Sequence, residues 1–244
     1  MKKNNDFYNS KIVNKPWGYE YVIYSDKKKL AITFLKILKG QSTSLHCHTK
    51  KKTGFIILGG KAEVQYGIYK ENKKIMKPLA RLIFRPGLFH SIKSISKNGL
   101  YLLETENPYD KVDLVRLEDK YGRKSKKYEG KNFTSTMDPK ITKFKKPNLG
   151  KKNLYKFNDL TITIEKTIKL RKLEKNDFNS STAILEGSLV DSRKQHVISA
   201  GEIVKTSTLK ILSKTFKIPK PMVILNVSKN KKNTNKKKNI ILWK

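Results

Sequence analysis

The sequence predicts an all-β fold, and three features of its 244 residues carry that prediction. Apolar residues come in short alternating or β-branched runs, the pattern of half-buried strands. Turns that contain glycine or proline separate these runs. Residues 15–106 show no helical stripe of apolar side chains. Many short strands at this spacing are typical of a β-sandwich or a closed barrel.

In the first half, runs with strand character alternate with turn residues. Turns are expected at Gly40, Gly59-Gly60, Pro86-Gly87 and Asn98-Gly99. The predicted strands are residues 19–24, 30–38, 53–58, 62–66, 81–84, 90–94 and 100–106.

The second half repeats the first in outline. Residues 124–152 are rich in lysine and lack periodicity, which predicts a linker between a first domain, 1–123, and a second domain, 153–228. In the second domain, residues 182–187 echo 54–60, and residues 199–204 echo 85–90 with Val204 in the place of His90. We therefore predict a duplicated barrel whose second copy has lost its pocket. The predicted strands there are residues 160–170, 181–189, 196–199, 202–205 and 222–227.

Charge is the most extreme feature of the composition, at +35 for pH 7. Only six of the 55 basic residues are arginine, the side chain that reads guanine and phosphate with a planar fork. Lysine is scattered through every segment, as A/T-rich codon usage would produce, so we expect no specific nucleic-acid partner. The charge should still favour anionic ligands. The basic tail, residues 229–244, is predicted to be disordered.

The apolar runs are far shorter than the roughly 20 residues that span a bilayer. The first residues carry lysines without the apolar stretch of a signal peptide. The single cysteine, Cys47, cannot form an internal disulfide. We expect a cytoplasmic protein without a membrane span.

Three of the four histidines form a pattern that predicts a metal site. His46 and His48 are two residues apart, so in a strand their side chains share one face while Cys47 points away. His90 follows the Pro86-Gly87 turn in another predicted strand. Neutral imidazoles suit zinc, manganese, iron, nickel or cobalt, so the pattern predicts a divalent metal without naming it. His196 has no such partner and is predicted to be a surface residue.

Five segments of the first half, taken in order, resemble the cupin domain of mannose-6-phosphate isomerases fused to mannose-1-phosphate guanylyltransferases. The resemblance covers residues 14–123 and implies a double-stranded β-helix, a jelly-roll barrel that often pairs as a homodimer. It also implies a sugar-phosphate isomerase in nucleotide-sugar or surface-polysaccharide synthesis. The segments are KPWGYE at 15–20, SLHCH at 44–48, GKAEV at 60–64, PGLFH at 86–90 and VRLEDKYGR at 115–123.

The sequence departs from the family at the metal site. Cupins of this type usually have a glutamate ligand about five residues after the second histidine, where this chain has Thr53. Three neutral histidines without a carboxylate leave the metal its full charge. Lys50, Lys51 and Lys52 are therefore candidates to bind an anionic sugar ligand.

Isomerisation also needs a group that moves a proton between two carbons. Glu104 and Glu106 are candidates on the inward strand face, and Glu63 is a weaker one because it alternates away from Ala62 and Val64. Arg123 matches the family's terminal arginine and could clamp a phosphate. Among these, Glu104 and Arg123 are the predicted catalytic residues.

Two other functions stay open. The missing glutamate and the degenerate second half favour a non-catalytic bicupin that binds a sugar phosphate or nucleotide sugar. The ligand count alone also fits a three-histidine iron dioxygenase, although the flanking motifs do not.

Overall fold

The computed structural model describes residues 5–27, 29–124, 126, 128–170, 179–230 and 238–239. The chain forms two compact units, Met1–Asp138 and Pro139–Lys244. The expected linker, 124–152, contributes a short 3-10 helix and a strand to the first unit, and its last residues begin the second. Most of the predicted tail lies outside the described residues, but Lys238–Asn239 forms a short strand.

The first unit is built from antiparallel strands, as the sequence predicted, and the all-β class is confirmed. It begins with a 3-10 helix at Asn5–Ser10, and a second 3-10 helix lies at Lys131–Phe133. The strands are β1 (Lys11–Lys15), β2 (Gly18–Asp26), β3 (Leu30–Ile37), β4 (Leu45–Cys47), β5 (Lys52–Gly59), β6 (Ala62–Tyr66), β7 (Lys73–Met76), β8 (Arg81–Phe84), β9 (His90–Ser94), β10 (Leu100–Asn107), β11 (Val115–Glu118) and β12 (Thr134–Thr136).

These strands form two sheets. The larger sheet has the order β12-β1-β2-β3-β10-β5-β8, and the smaller sheet has the order β11-β4-β9-β6-β7. Strands that are successive in the chain repeatedly cross from one sheet to the other, for example β3 to β4, β4 to β5 and β9 to β10. This winding between two sheets is the double-stranded β-helix that the sequence motifs implied.

Alternation along β10 explains how the interior divides into a core and a pocket. Leu100 and Leu102 face inward and belong to an apolar cluster between the sheets with Trp17, Phe55 and other buried residues. The next inward positions on the same strand face are acidic, Glu104 and Glu106. The barrel interior therefore changes from apolar to polar along a single strand.

The second unit is also mainly β, but it contains a helix that the sequence analysis missed. Helix α1, Thr206–Thr215, packs Leu209, Leu212 and the following Phe216 into the apolar cluster of this unit. It is the longest helix among the described residues, and none of those helices has the length and apolar character needed to cross a membrane. The strands are β13 (Lys152–Phe157), β14 (Leu160–Thr167), β15 (Ser181–Glu186), β16 (Ser188–Val190), β17 (His196–Ser199), β18 (Ile203–Lys205), β19 (Met222–Lys229) and β20 (Lys238–Asn239).

The main sheet of the second unit shares its strand order with the first. Its order is β18-β15-β19-β14-β13-β20, so β13-β14-β19-β15-β18 corresponds to β2-β3-β10-β5-β8. Both β5 and β15 carry a pairing irregularity, at Leu58 and Leu185 respectively. A glycine with positive φ lies two residues after each irregularity and directly after the end of the strand, Gly60 at 82° and Gly187 at 81°. The smaller sheet has no such counterpart beyond the ribbon β16-β17 among the described residues.

Candidate metal centre and its pocket

Three imidazole rings meet inside the first barrel. His46 on β4 pairs directly with His90 on β9, and His48 follows two residues after His46. The ring centroids are 4.5 Å apart for His46 and His90, 5.1 Å for His46 and His48, and 5.5 Å for His48 and His90. One nitrogen from each ring lies within 4.8 Å of the other two, which is close enough to share one metal ion.

Each ring is oriented by a hydrogen bond from Nδ1. The acceptors are backbone carbonyls: Ser44 O at 2.8 Å for His46, Asp113 O at 2.6 Å for His48 and Leu88 O at 3.0 Å for His90. A carbonyl can only accept, so Nδ1 must carry the proton and Nε2 must carry the lone pair. All three rings therefore have the tautomer that a metal ligand needs.

The Nε2 atoms fit a metal ion by a second criterion. Those of His48 and His90 are buried and have no hydrogen-bond partner among the described residues. Burial lowers the pKa of His90 to about 4, and it also holds the pKa values of His46 and His48 well below their ordinary value. Neutral imidazoles with buried, unpaired lone pairs are suited to a divalent cation. The cluster contains no carboxylate, so its coordination sphere would remain open for water or a substrate oxygen.

Packing fixes His90 further. Its ring stacks on Phe84 at a centroid distance of 4.0 Å and an interplanar angle of 5°. The turn before it is tied to the other ligand segment, because Gly87 N–H donates to His48 O at 2.7 Å. Gly87 has a φ of 81°, a left-handed conformation that suits glycine.

The histidines line a pocket together with several charged side chains. The cavity has a volume of about 60 Å³, which is room for a few waters or a small polar ligand. Both ends of the first unit contribute to the lining, since Lys15 and Trp17 come from its start and Tyr128 from near its end. Glu104 and Glu106 enter from β10.

Glu104 and Glu106 occupy different electrostatic environments although they share one strand face. Glu106 Oε1 accepts from Lys51 Nζ at 3.3 Å and from Lys111 Nζ at 3.0 Å. Burial would raise the pKa of Glu106, but Lys111 and Lys51 outweigh it and lower the pKa. Glu104 has no such ion pair within the described chain, and burial together with the charge of Glu106 raises its pKa to about 8. Without a bound metal, these surroundings favour the protonated form of Glu104 and the ionised form of Glu106.

Lys111 connects this pair to the rest of the pocket wall. Its Nζ contacts Glu106, Glu20 at 3.2 Å and Thr33 at 3.1 Å, which uses all three of its N–H donors. Glu20 also accepts a hydrogen bond from the Tyr128 hydroxyl. Burial alone would raise the pKa of Glu20, but Lys111, Lys15 and Tyr128 bring it down to about 2.

Several solved structures are similar to part of this chain. The chain is similar to the cupin domain of Schizosaccharomyces pombe Cnp3, with 22% identity, 37% of this chain and 64% of that chain covered, and a TM-score of 0.35. It is also similar to KdgF from Halomonas sp., with 15% identity, 39% and 83% covered, and a TM-score of 0.35. A double-stranded β-helix protein of Klebsiella pneumoniae matches with 16% identity, 48% and 96% covered, and a TM-score of 0.37. No family model and no curated protein matches the chain.

The strand topology defines the fold of the first unit, and the histidines lie inside it. Two sheets wind as a double-stranded β-helix, and His46 faces His90 across neighbouring strands inside it. The first unit has the double-stranded β-helix fold of cupins. The match to the Cnp3 domain takes in less than two thirds of that domain's own length.

The predicted ligand-binding lysines of the first unit lie in different places. Lys51 is buried at 3% exposure, lines the pocket and bonds Glu106 and Asp110 O. Lys50 is exposed beside a separate surface depression, and Lys52 is half-buried on β5. The geometry therefore brings Lys51 to the histidines, and it brings neither of its neighbours there.

The predicted catalytic residues both line the pocket of the first unit, but their surroundings differ. Glu104 faces the cavity without an ion pair among the described residues. The guanidinium of Arg123 donates to both oxygens of Asp119 and, at 2.6 Å, to Glu129. Glu63, the weaker candidate, lies on β6 and pairs with Lys73 at 3.4 Å at the surface.

Sequence reasoning missed several residues of the pocket wall. Lys15 and Glu20 belong to the first motif and could have been found there, since the motif crosses from β1 to β2. Lys111 and Tyr128 carried no signal of their own, because nothing distinguishes them from the other lysines and tyrosines of the chain. In the second unit, His196 is an exposed residue of β17, as predicted.

The protonated state of Glu104 leads to a prediction about pH. In the metal-free protein, the folded state keeps a proton on Glu104 up to about pH 8, whereas the unfolded chain releases it near pH 4.5. Burial is the largest cause of the raised pKa of Glu104; Glu106 and Glu20 raise it further, and Lys111 and Lys51 lower it. The contribution of Glu104 to stability is therefore complete below about pH 4.5 and is lost as pH rises toward 8, by up to about 1.4 kcal/mol per pH unit.

Glu104→Gln mimics the protonated group and should flatten this dependence. Denaturant unfolding of the two metal-free proteins between pH 5 and 9 is the measurement. The difference in unfolding free energy should grow in favour of the variant as pH rises. A constant difference across the range would contradict the protonated state of Glu104.

Proposed function

We propose that the cupin domain is a metal-dependent sugar-phosphate isomerase, acting in the cytoplasm in nucleotide-sugar or surface-polysaccharide synthesis. One observation carries the proposal: three imidazole Nε2 atoms share a pocket with two carboxyl groups whose pKa values are driven apart. One protonated and one ionised carboxyl are the pair that acid–base transfer between adjacent carbons requires. The motifs at 15–20, 86–90 and 115–123 support the same reaction through their family resemblance.

The binding groups are supplied by the histidines and by Lys51. His46, His48 and His90 would hold a divalent cation, which supplies polarisation of a substrate carbonyl when bound. Lys51 Nζ uses two of its three donors, on Glu106 Oε1 and Asp110 O, within the described chain. Its third donor is available to a phosphate or hydroxyl oxygen in the pocket.

Glu106 is placed to act as the base. Lys51 and Lys111 hold its Oε1, and no donor from the described residues reaches Oε2. Oε2 would remove the proton from the carbon beside the carbonyl, while Glu104 gives its proton to the carbonyl oxygen and an enediol forms. Glu106 then returns its proton to the neighbouring carbon, and Glu104 recovers a proton from the other hydroxyl. Both carboxyls end as they began.

This proton route predicts deuterium exchange. With metal and mannose 6-phosphate or fructose 6-phosphate in heavy water, the protein should introduce deuterium at the carbon beside the carbonyl, as followed by NMR. Glu106→Gln should slow the exchange by roughly 10²–10⁴-fold, because the base is lost. Glu63→Gln is the matched control, since it removes a surface glutamate paired to Lys73 and should leave the rate unchanged. Equal rates for both variants would exclude Glu106 as the base.

The alternative is a protein that binds the sugar phosphate without converting it. It is favoured by the missing carboxylate ligand, since Thr53 stands where cupins of this type usually have a glutamate. Calorimetric titration with phosphorylated and unphosphorylated hexoses separates the two functions. Tight binding of the phosphorylated sugars with no deuterium exchange would support this alternative.

We infer that the second unit is a degenerate copy of the cupin domain, which makes the chain a bicupin. Strand pairing places Asn226 of β19 opposite Thr182 of β15, as Glu104 of β10 lies opposite Phe55 of β5. Asn226 Nδ2 donates to the hydroxyls of Thr182 and Thr206, both at 2.9 Å. A buried polar cluster thus fills the position that the pocket has in the first unit, and α1 follows β18 where β9 with His90 follows β8.

A further inference from the structure

His48 differs from the other two histidines in what orients it. His46 and His90 bond carbonyls only two residues away, at Ser44 and Leu88, so their own chain segments set the ring directions. The carbonyl that orients His48 belongs to Asp113, which is 65 residues away in the sequence. Only this ligand depends on the approach of a distant segment.

The side chain of Asp113 holds that distant segment in place. Its Oδ1 accepts from Thr49 N at 2.8 Å and Thr49 Oγ1 at 2.7 Å. Its Oδ2 accepts from Lys50 N at 3.0 Å and Lys51 N at 2.9 Å. Asp113 is 8% exposed, so four donors converge on a nearly buried carboxylate. They are the groups that directly follow His48 in the chain.

We propose that Asp113 is the positioning residue of the metal centre: its carboxylate binds the turn after His48, and its backbone carbonyl orients the His48 ring. This inference rests on the proposed metal site. The same contacts position Lys51, whose backbone N–H donates to the Asp113 carboxylate and whose Nζ donates to Asp110 O. One aspartate thereby places both a metal ligand and the lysine next to it.

The effect of Asp113 on His48 should be detectable in the metal-free protein. Nitrogen-15 NMR of the imidazoles should show His48 as the Nδ1–H tautomer with a slowly exchanging proton, as for His46 and His90. In Asp113→Ala, we expect the His48 signal to lose this protection while the other two keep theirs. Asp113→Asn retains an acceptor for Thr49 but turns an NH₂ group toward two backbone donors, so its effect should be intermediate.

Metal affinity is the second readout, measured by zinc or cobalt competition with a chelator. Loss of a partner that orients a ligand typically lowers affinity about 10–100-fold, and we expect Asp113→Ala near the upper value and Asp113→Asn near the lower. The control is Asp191→Asn, whose carboxylate accepts from Arg193 N and Gln195 N in the second unit and should change nothing.

The outcomes separate this inference from the function on which it rests. If wild type binds no metal but the His48 signal depends on Asp113, the metal site is wrong and the positioning of His48 stands. If wild type binds metal and neither Asp113 variant alters the His48 signal or the affinity, the positioning role is wrong. Intact signals of His46 and His90 show that each variant is folded.

Discussion

His48→Ala is expected to lower the affinity of the full chain for zinc or cobalt by at least about 100-fold. The variant removes one of three converging Nε2 atoms from a cluster that has no carboxylate to replace it. Losing a direct ligand should cost more than losing a hydrogen-bond partner of a ligand, for which roughly 10–100-fold is typical. Metal content after dialysis and titration with cobalt are the measurements.

His196→Ala is the matched control for this prediction. His196 lies exposed on β17 of the second unit, and it is the one histidine outside the cluster. Metal content should stay near one ion per chain in this variant. Equal loss in both variants, or retention in both, would mean that the cluster does not hold the metal.

Lys111→Met is expected to lower the free energy of unfolding of the first unit by about 3–5 kcal/mol. The side chain of Lys111 is 2% exposed and contacts Glu20 and Glu106, whose side chains are 7% and 3% exposed. Removing Lys111 leaves Glu106 with Lys51 and Glu20 with Lys15, so two buried carboxylates lose part of their compensation. That loss exceeds the modest net contribution of the intact pair. Methionine keeps most of the volume, so the effect isolates the charge.

Lys73→Met is the control, because it breaks the pair with Glu63 in a side chain that is 41% exposed. A surface pair of this kind contributes about 0–1 kcal/mol. Guanidinium unfolding can be followed by Trp17, which is 4% exposed in the first unit, with Trp243→Phe in every protein to remove the second tryptophan. Similar losses for the two lysine variants would contradict the ionic role of Lys111.

The sequence alone was sufficient for the parts of the site that depend on strand periodicity. His46 and His48 share a face because strand side chains alternate, and the same rule puts Glu104 and Glu106 on the inward face of β10 behind Leu100. The all-β class followed from short runs and glycine turns, and the structure confirms it. Helix α1 was missed because its apolar face is short, formed by Leu209 and Leu212 with Phe216 directly after its end.

Only the tertiary structure decided which charges meet. The chain has 49 lysines among its 55 basic residues, and nothing local distinguishes Lys51 from Lys50 and Lys52, or Lys111 from the rest. Lys111 meets Glu20 across 91 residues, and Asp113 reaches His48 across 65. Such contacts form because the sheets return distant segments to one pocket, where burial makes each polar group require a partner. Strand periodicity is a local property, whereas ionic pairing depends on the closed barrel.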